Sequence, residues 1–249
     1  MRLVTLNLRQ DLDRWPERLP LVVAALAGAD ADVIGLQEVA LPICQDHLVA
    51  AELNRRTPDR PYAVHTAPKW GDSNPEAVSL LSRIPIGKHE VLELPVGGRV
   101  AQRIAVDLEG RPLHIVNTHL HHQPYDDESV REPQLRAILG WLGTAEALGS
   151  CVVMGDLNAT PESSTLRTSR PSLDSALPTG VPTFPTALAT GSLASVQIDH
   201  VLYSPGLRLV SASLVAHHPH PADPALYPSD HMGVLAELAR PAASRPRRP

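Results

Sequence analysis

The sequence predicts an α+β fold in which two packed β-sheets carry helices on their outer sides. Three observations point to it. Strand-like apolar runs outnumber helical ones along the 249 residues, several consecutive runs are joined by Gly or Pro turns, and no segment repeats. A hydrophobic content of 43% at this length supports a sizeable core, so one domain over residues 1–240 is expected.

The elements follow in order. RLVTLNL, residues 2–8, reads as the first strand. PERLPLVVAALAG, residues 16–28, reads as a short amphipathic helix with Pro16 in its first turn and Gly28 as its stop. DVIGLQEV, residues 32–39, is a second strand, and residues 43–56 form a second helix. Strand runs at 77–83, 87–96, 99–108 and 112–120 are separated by Gly and Pro, which suggests antiparallel neighbours rather than a repeated βαβ unit. A helix from about Glu132 to Leu148 leads into SCVVMGDLN, residues 150–158. After a loop rich in Pro, Ser and Thr, runs at 195–204, 207–216 and 232–239 complete the strands. Residues 241–249, which include the basic SRPRRP, read as a disordered tail.

Composition narrows the function. The net charge is −5 and the 22 Lys and Arg are spread along the chain, which gives no support for a non-specific duplex binder, although a local basic groove can coexist with an acidic total. Cys44 and Cys151 each sit in an apolar stretch, an arrangement that argues against a disulfide framework. No apolar run approaches the roughly 20 residues needed to span a membrane. The first residues already read as a strand, which leaves no room for a signal peptide. The expectation is a cytoplasmic protein without a membrane span, monomeric by default.

Polar residues recur where apolar runs meet loops: Asn7, Glu38, His119, Asp156 and Asn158, Asp199 and His200, and Ser229 to His231. Each alone has an ordinary explanation. Asn7 and Asn158 satisfy turn amides, Glu38 serves as a helix N-terminal charge, Asp199 pairs with His231, Asp230 caps a turn, and His119 is a buried histidine. A sheet places strand ends side by side, however, so these groups can share one cleft. Two carboxylates about 4 Å apart repel by roughly 4 kcal/mol at an effective dielectric near 20, so converging acids need a compensating cation. Oxygen ligands without a Cys and His cage favour Mg²⁺ or Mn²⁺.

TLNLR, DVIGLQEV, SLLSRIPI, VNTHL, GDLNATP, IDHVLYS and SDHMGV, in this order, resemble the endonuclease/exonuclease/phosphatase superfamily. The resemblance spans nearly the whole chain. It implies a four-layer α/β/β/α sandwich like that of DNase I and metal-dependent cleavage of phosphate esters. By the same resemblance, Glu38 is the principal metal ligand, Asn7 stands beside it, and Asp230 is a further metal-side ligand. Asp156 orients or deprotonates the attacking water, and Asn158 holds the nucleophile or a phosphoryl oxygen. His231 stands at the scissile phosphate with Asp199 behind it. His119 is a second phosphate donor, braced by Glu76. Arg131 and Gln134 match the spacing of an R..Q pair that supports the cleft, and Arg103 is a basic residue that could place phosphate or pair with an acid. His121, His122 and His200 are read as surface or packing residues. His217, His218 and His220 lie in a Pro-rich loop that is usually only solvated.

The function expected is therefore a Mg²⁺-dependent phosphodiesterase, with Mn²⁺ as a substitute, acting on a nucleic-acid or small organic phosphodiester. The alternatives are a phospholipid or phosphomonoester hydrolase of the same superfamily, a biosynthetic hydrolase of a non-phosphate bond, and a catalytically silent binding protein.

Overall fold

β1 (Arg2–Asn7) and β2 (Val33–Ala40) lie side by side and parallel, because α1 (Trp15–Ala29) carries the chain back between them. The computed structural model describes residues 1–70, 75–123, 127–143, 150–170, 172–189 and 194–241. α2 (Gln45–Arg56) follows, then β3 (Ala63–Pro68) and β4 (Glu76–Ser82), and the first sheet also takes β11 (Arg208–Val215) and β12 (Gly233–Ala239) from the end of the chain. Its order is β11-β12-β1-β2-β4-β3. The second sheet contains β5 (Ile86–Glu93), β6 (Val100–Leu108), β7 (Arg111–His119), β8 (Cys151–Asp156), β9 (Asp174–Ser175) and β10 (Asp199–Tyr203). Its order is β5-β6-β7-β8-β10-β9, and α3 (Arg131–Leu142) makes the crossover between the parallel strands β7 and β8. A short α4 (Ser164–Ser169), capped by the Ser163 side chain, follows β8.

Among the described residues, three large apolar clusters separate four layers. Val22, Leu26, Val49 and Leu53 of the first two helices pack on Leu6, Ile34 and Leu36 of the first sheet. Leu3, Val33 and Leu80 meet Ile104, Ile115 and Met154 between the sheets. Leu135, Ile138 and Leu142 cover Val116 and Val153 on the far side of the second sheet. Burying strands on both faces explains why they read as almost continuous apolar runs. The result is the α/β/β/α sandwich.

The two sheets repeat one plan that fixes the site. Each has a central parallel pair, and the carboxyl ends of the two pairs carry Asn7 and Glu38 in one sheet and His119 and Asp156 in the other. The strands antiparallel to these pairs begin at the same edge, with Glu76 at the start of β4 and Asp199 at the start of β10. His231 immediately precedes β12. Residues far apart in sequence thus arrive at one edge by strand direction alone.

Polar groups lock the sheets together beneath this edge. Gln37 Nε2 donates to Asn117 Oδ1 at 2.7 Å, and Asn117 Nδ2 donates to the carbonyls of Leu36 (3.1 Å) and Ser79 (2.9 Å). All of this is buried, and a Cβ on Gly35 would come within 2.7 Å of Asn117 Oδ1. Asn117→Leu removes the donor to two buried carbonyls and one of the two acceptors of the Gln37 amide, which keeps Thr5 Oγ1 at 2.9 Å, so we expect urea denaturation to show a loss of about 2–4 kcal/mol.

The structure revises several expectations. α1 runs past Gly28 and stops two residues later at Asp30 (φ 42°), an acid that tolerates the left-handed turn. The antiparallel reading holds for β5, β6 and β7, but two βαβ crossovers also occur, and β4 and β5 belong to different sheets. α3 ends at Leu142 with Gly143 (φ 56°) as its cap, and residues 144–149 lie outside the described residues. β3, α4 and β9 were not anticipated. Cys44 is exposed and Cys151 buried, and neither forms a disulfide among the described residues. Of the expected tail, residues 242–249 lie outside the described residues. Among the described residues, no helix is long and apolar enough to cross a membrane.

Candidate active site

Asp156 lies at the centre of the edge. Its strand brings it there through Gly155, whose φ is 148° and where a Cβ would stand 1.9 Å from the Thr118 carbonyl oxygen, so the position admits only glycine. The next turn is tight: Asn158 (φ 47°) donates its backbone N–H to Asp156 Oδ1 at 3.0 Å. The acid and the amide thus do form a turn. It leaves Asp156 Oδ2 to accept from Asn7 Nδ2 at 3.0 Å, with His119 Nε2 at 3.4 Å and His231 Nε2 at 3.8 Å. Burial raises the Asp156 carboxyl, but the two imidazoles and the Asn158 and Asn7 donors outweigh it and hold it below the ordinary carboxylate range.

His231 is oriented from behind. Its Nδ1 lies 2.9 Å from Asp199 Oδ2, and Phe184 packs against the ring with centroids 4.7 Å apart. Burial lowers the imidazole, but Asp199 and Asp156 raise it more, to about 10, so it is a proton donor at neutral pH. Asp156, Asp199 and His231 have ligand atoms within 4.8 Å of one another. Within this trio His231 Nδ1 is taken up by Asp199, and its Nε2 faces Asp156 at 3.8 Å.

On the opposite flank, His119 Nδ1 lies 3.4 Å from Glu76 Oε1, and Glu76 also meets Lys69 Nζ at 3.2 Å and Arg99 Nη1 at 3.4 Å. Burial raises the Glu76 carboxyl, yet His119, Arg99 and Lys69 bring it down from 4.5 to about 2. The folded value lies below the unfolded one, so this group's stabilisation is complete above about pH 4.5 and is lost as pH falls towards 2. Accordingly, the melting temperature of Glu76→Gln should fall less steeply across that window than that of the wild type.

Glu38 sits in a β-bulge of β2 with φ 50°, where the register with β4 shifts between Leu36 and Val39. The bulge turns its carboxylate to the cleft, where Asn7 Nδ2 donates to it at 3.2 Å. Asn7 thus stands between two carboxylates with both its amide hydrogens committed, and its Oδ1 accepts from the Arg9 backbone at 2.8 Å. Asp230 faces the same cleft but is already paired with the Arg9 guanidinium, and Ser229 Oγ donates to it at 3.2 Å.

The cleft encloses about 740 Å³. Glu38, Glu76, His119, Asp156, Asn158, Asp230 and His231 line it, and Phe184, Val196 and Ile198 give it an apolar wall. Asn7 and Asp199 bond to lining residues from behind. Gln134 and Arg131 are outside it and tie the loop after β7: Gln134 Oε1 accepts from the His121 backbone at 2.9 Å, and Arg131 donates to the Asp127 carbonyl at 3.0 Å. Arg103 is not brought to the cleft. It pairs with Glu90 at 2.7 Å and stacks on Trp141 at 4.3 Å, because its strand position faces α3. His200 is structural, with Nε2 2.8 Å from the Ala159 carbonyl oxygen. His217 and His218 flank a separate groove beside α1.

Several contributors escaped the sequence reading. Arg18 is fully buried and donates to the carbonyls of Leu8, Arg9, Gln10, Leu12, Asp13 and Pro228, which ties the loop after β1 to the segment before Asp230. On a helix it looks like an ordinary solvated charge. Lys69, Arg99 and Phe184 occupy loops or strand ends whose sequence carries no motif.

The sequence model of the endonuclease/exonuclease/phosphatase family matches residues 4–231. The chain belongs to this family. Its members are hydrolases of phosphate esters. Solved structures agree on the fold. The human Nocturnin catalytic domain with bound sulfate has a TM-score of 0.75 at 19% identity, covering 97% of this chain and 93% of that one. D. rerio TDP2 complexed with a single-strand DNA product has a TM-score of 0.74 at 16% identity, covering 96% and 98%. The Bacteroides thetaiotaomicron mannosyl-6-phosphatase Bt3783 has a TM-score of 0.73 at 17% identity, covering 96% and 99%. At such identities the likeness concerns the DNase I-like fold alone. No curated protein matches this family member in sequence.

Proposed function

We propose that the protein is a divalent-metal-dependent phosphodiesterase that hydrolyses a small organic or nucleic-acid phosphodiester by attack of water. The observation that carries this reading is the pair of buried imidazoles, His119 and His231, converging on one ionised carboxylate, Asp156. A phosphoryl group brings negative oxygens that repel a nucleophile, so donors must absorb charge as water attacks in line with the leaving oxygen. His231, held protonated by Asp199, donates from Nε2 to a phosphoryl oxygen. His119 donates alongside it, oriented by Glu76. Asn158 Nδ2 gives one hydrogen to the Leu120 carbonyl at 3.2 Å and keeps the other for the phosphate. Asp156, ionised and accepting, aligns the attacking water rather than stripping it in advance.

The oxygen donors fit Mg²⁺. Glu38 has one neutral partner, Asn7, and faces the cleft, whereas the charge of Asp230 is already compensated by Arg9. Glu38 is thus the principal ligand, with Asn7 and Asp230 subsidiary. A bound Mg²⁺ supplies Lewis-acid polarisation of a phosphoryl oxygen, and Mn²⁺ can substitute. A cleft of about 740 Å³ is the size of a small-ligand pocket and supports a compact substrate. The same proposal includes a single domain over residues 1–240 and a cytoplasmic, monomeric enzyme.

The test is turnover of bis-p-nitrophenyl phosphate. Activity should require Mg²⁺ or Mn²⁺ and fall by about 100-fold or more on adding EDTA. Glu38→Gln should raise the Mg²⁺ concentration needed for half-maximal rate by about tenfold or more, the equivalent of one lost charged ligand contact. A panel of diesters, monoesters, phospholipids and single- and double-stranded nucleic acids separates the family alternatives. No hydrolysis of any of them with either metal would favour a binding protein or a non-phosphate hydrolase.

A further inference from the structure

The cleft has a second charged feature that hydrolysis of a simple diester does not use. Arg99 lines it beside Glu76 and is 4% exposed. Its guanidinium is poorly satisfied: Nη1 reaches Glu76 only at 3.4 Å, Nη2 lies 3.3 Å from His122 Nδ1, and Nε has no hydrogen-bond partner among the described residues. Buried donors are normally all filled, as those of Arg18 are by carbonyls, and an open guanidinium fork matches a carboxylate or phosphate. Lys69 lines the same wall, with its side chain 8% exposed. The two are fixed on adjoining backbones, because Trp70 N–H donates to the Gly98 carbonyl at 3.0 Å and Lys69 N–H to the Glu76 carbonyl at 2.9 Å. The cations sit one carboxylate and one imidazole away from Asp156, along the chain Arg99, Glu76, His119, Asp156.

We propose that Arg99 and Lys69 form an anion subsite that takes a terminal phosphate of the substrate, next to the phosphate being cleaved. The inference rests on the phosphoesterase reading for the cleaved group and adds the substrate class: an organic phosphoester that ends in a second phosphate. Burial of the two cations selects a terminal group, since a continuous backbone passing across the cleft cannot bring an internal phosphate down to them.

Binding and turnover test this separately. By titration calorimetry in EDTA, thymidine 3′,5′-bisphosphate should bind the wild type about 10- to 100-fold more tightly than thymidine 5′-monophosphate, as expected for one charge-assisted contact set. Arg99→Gln should reduce that ratio to below about threefold, whereas Arg99→Lys, which keeps the charge, should retain most of it. With Mg²⁺, the kcat/KM ratio between the p-nitrophenyl 5′-phosphodiesters of thymidine with and without a 3′-phosphate should follow the same order, mainly through KM. Decamer oligonucleotides with and without a terminal phosphate distinguish the sources. An equal gain on the decamer assigns the subsite to strand ends, and a gain confined to the nucleotide assigns it to small molecules. Equal binding of bisphosphate and monophosphate by the wild type, or a preference that survives Arg99→Gln, would overturn the subsite. A binding preference without hydrolysis would instead remove the phosphoesterase reading and leave the subsite standing.

Discussion

Replacing His231 by alanine is expected to lower kcat on bis-p-nitrophenyl phosphate by two to three decades, equivalent to roughly 3–4 kcal/mol of barrier, with little change in KM. The size follows from where the imidazole sits. It is buried and raised to about 10 by the carboxylates around it, so its proton is present throughout the neutral range. Charge on the phosphoryl oxygens grows as water adds, so a donor fixed beforehand acts more strongly on the transition state than on the bound ester. Removing the ring has a second consequence, because Asp199 is left buried without its cationic partner. The variant must therefore be shown folded by its melting curve before the rate is interpreted. His231→Gln separates the two effects, since it keeps a neutral donor and should recover part of the lost rate. Turnover of His231→Ala within about threefold of the wild type would remove His231 from the mechanism, because a single well-placed donor is worth far more.

The strand ends named from the sequence are the ones that meet at the edge, and the reason is directional. Asn7, Glu38, His119 and Asp156 all close parallel strands, and Glu76 and Asp199 open strands antiparallel to them. A polar residue that interrupts an apolar run therefore marks the same side of the sandwich each time. Depth and pairing were not legible. Glu38 needs a bulge with positive φ to face the cleft, and a bulge leaves no signature in GLQEV. Arg103 was drawn to the site by its charge, yet strand alternation places it against Trp141 on the outer face. Arg18 and Arg99 went unremarked because a buried arginine looks the same in sequence as a solvated one, and only the carbonyls and carboxylate that surround them give their roles away. The helix stop at Asp30 was missed for a related reason: Gly28 offers the usual punctuation, but an exposed glycine inside a helix is tolerated when the buried face of that helix is packed, as Leu26 and Ala29 are.

Asp156→Asn is expected to have the largest effect of any single substitution at the site, lowering kcat by about 10³- to 10⁴-fold, at the upper end of what a positioned base contributes. The substitution is nearly isosteric, so the turn made by the Asn158 N–H onto Oδ1 can persist and the fold should be retained. What changes is charge. Asp156 accepts from Asn7 and faces the Nε2 atoms of His119 at 3.4 Å and His231 at 3.8 Å, and an amide in its place either turns a donor towards those groups or keeps an oxygen there with much less negative charge. His231 then loses a source of its protonation, and the attacking water loses the acceptor that aims it. The loss should be non-additive with His231→Ala: if the two act as one unit, the double variant should be slower than Asp156→Asn by much less than the two to three decades His231→Ala shows alone. Fully additive losses would mean that the two side chains serve separate steps, and the convergence of the imidazoles on one carboxylate would then be structural rather than catalytic.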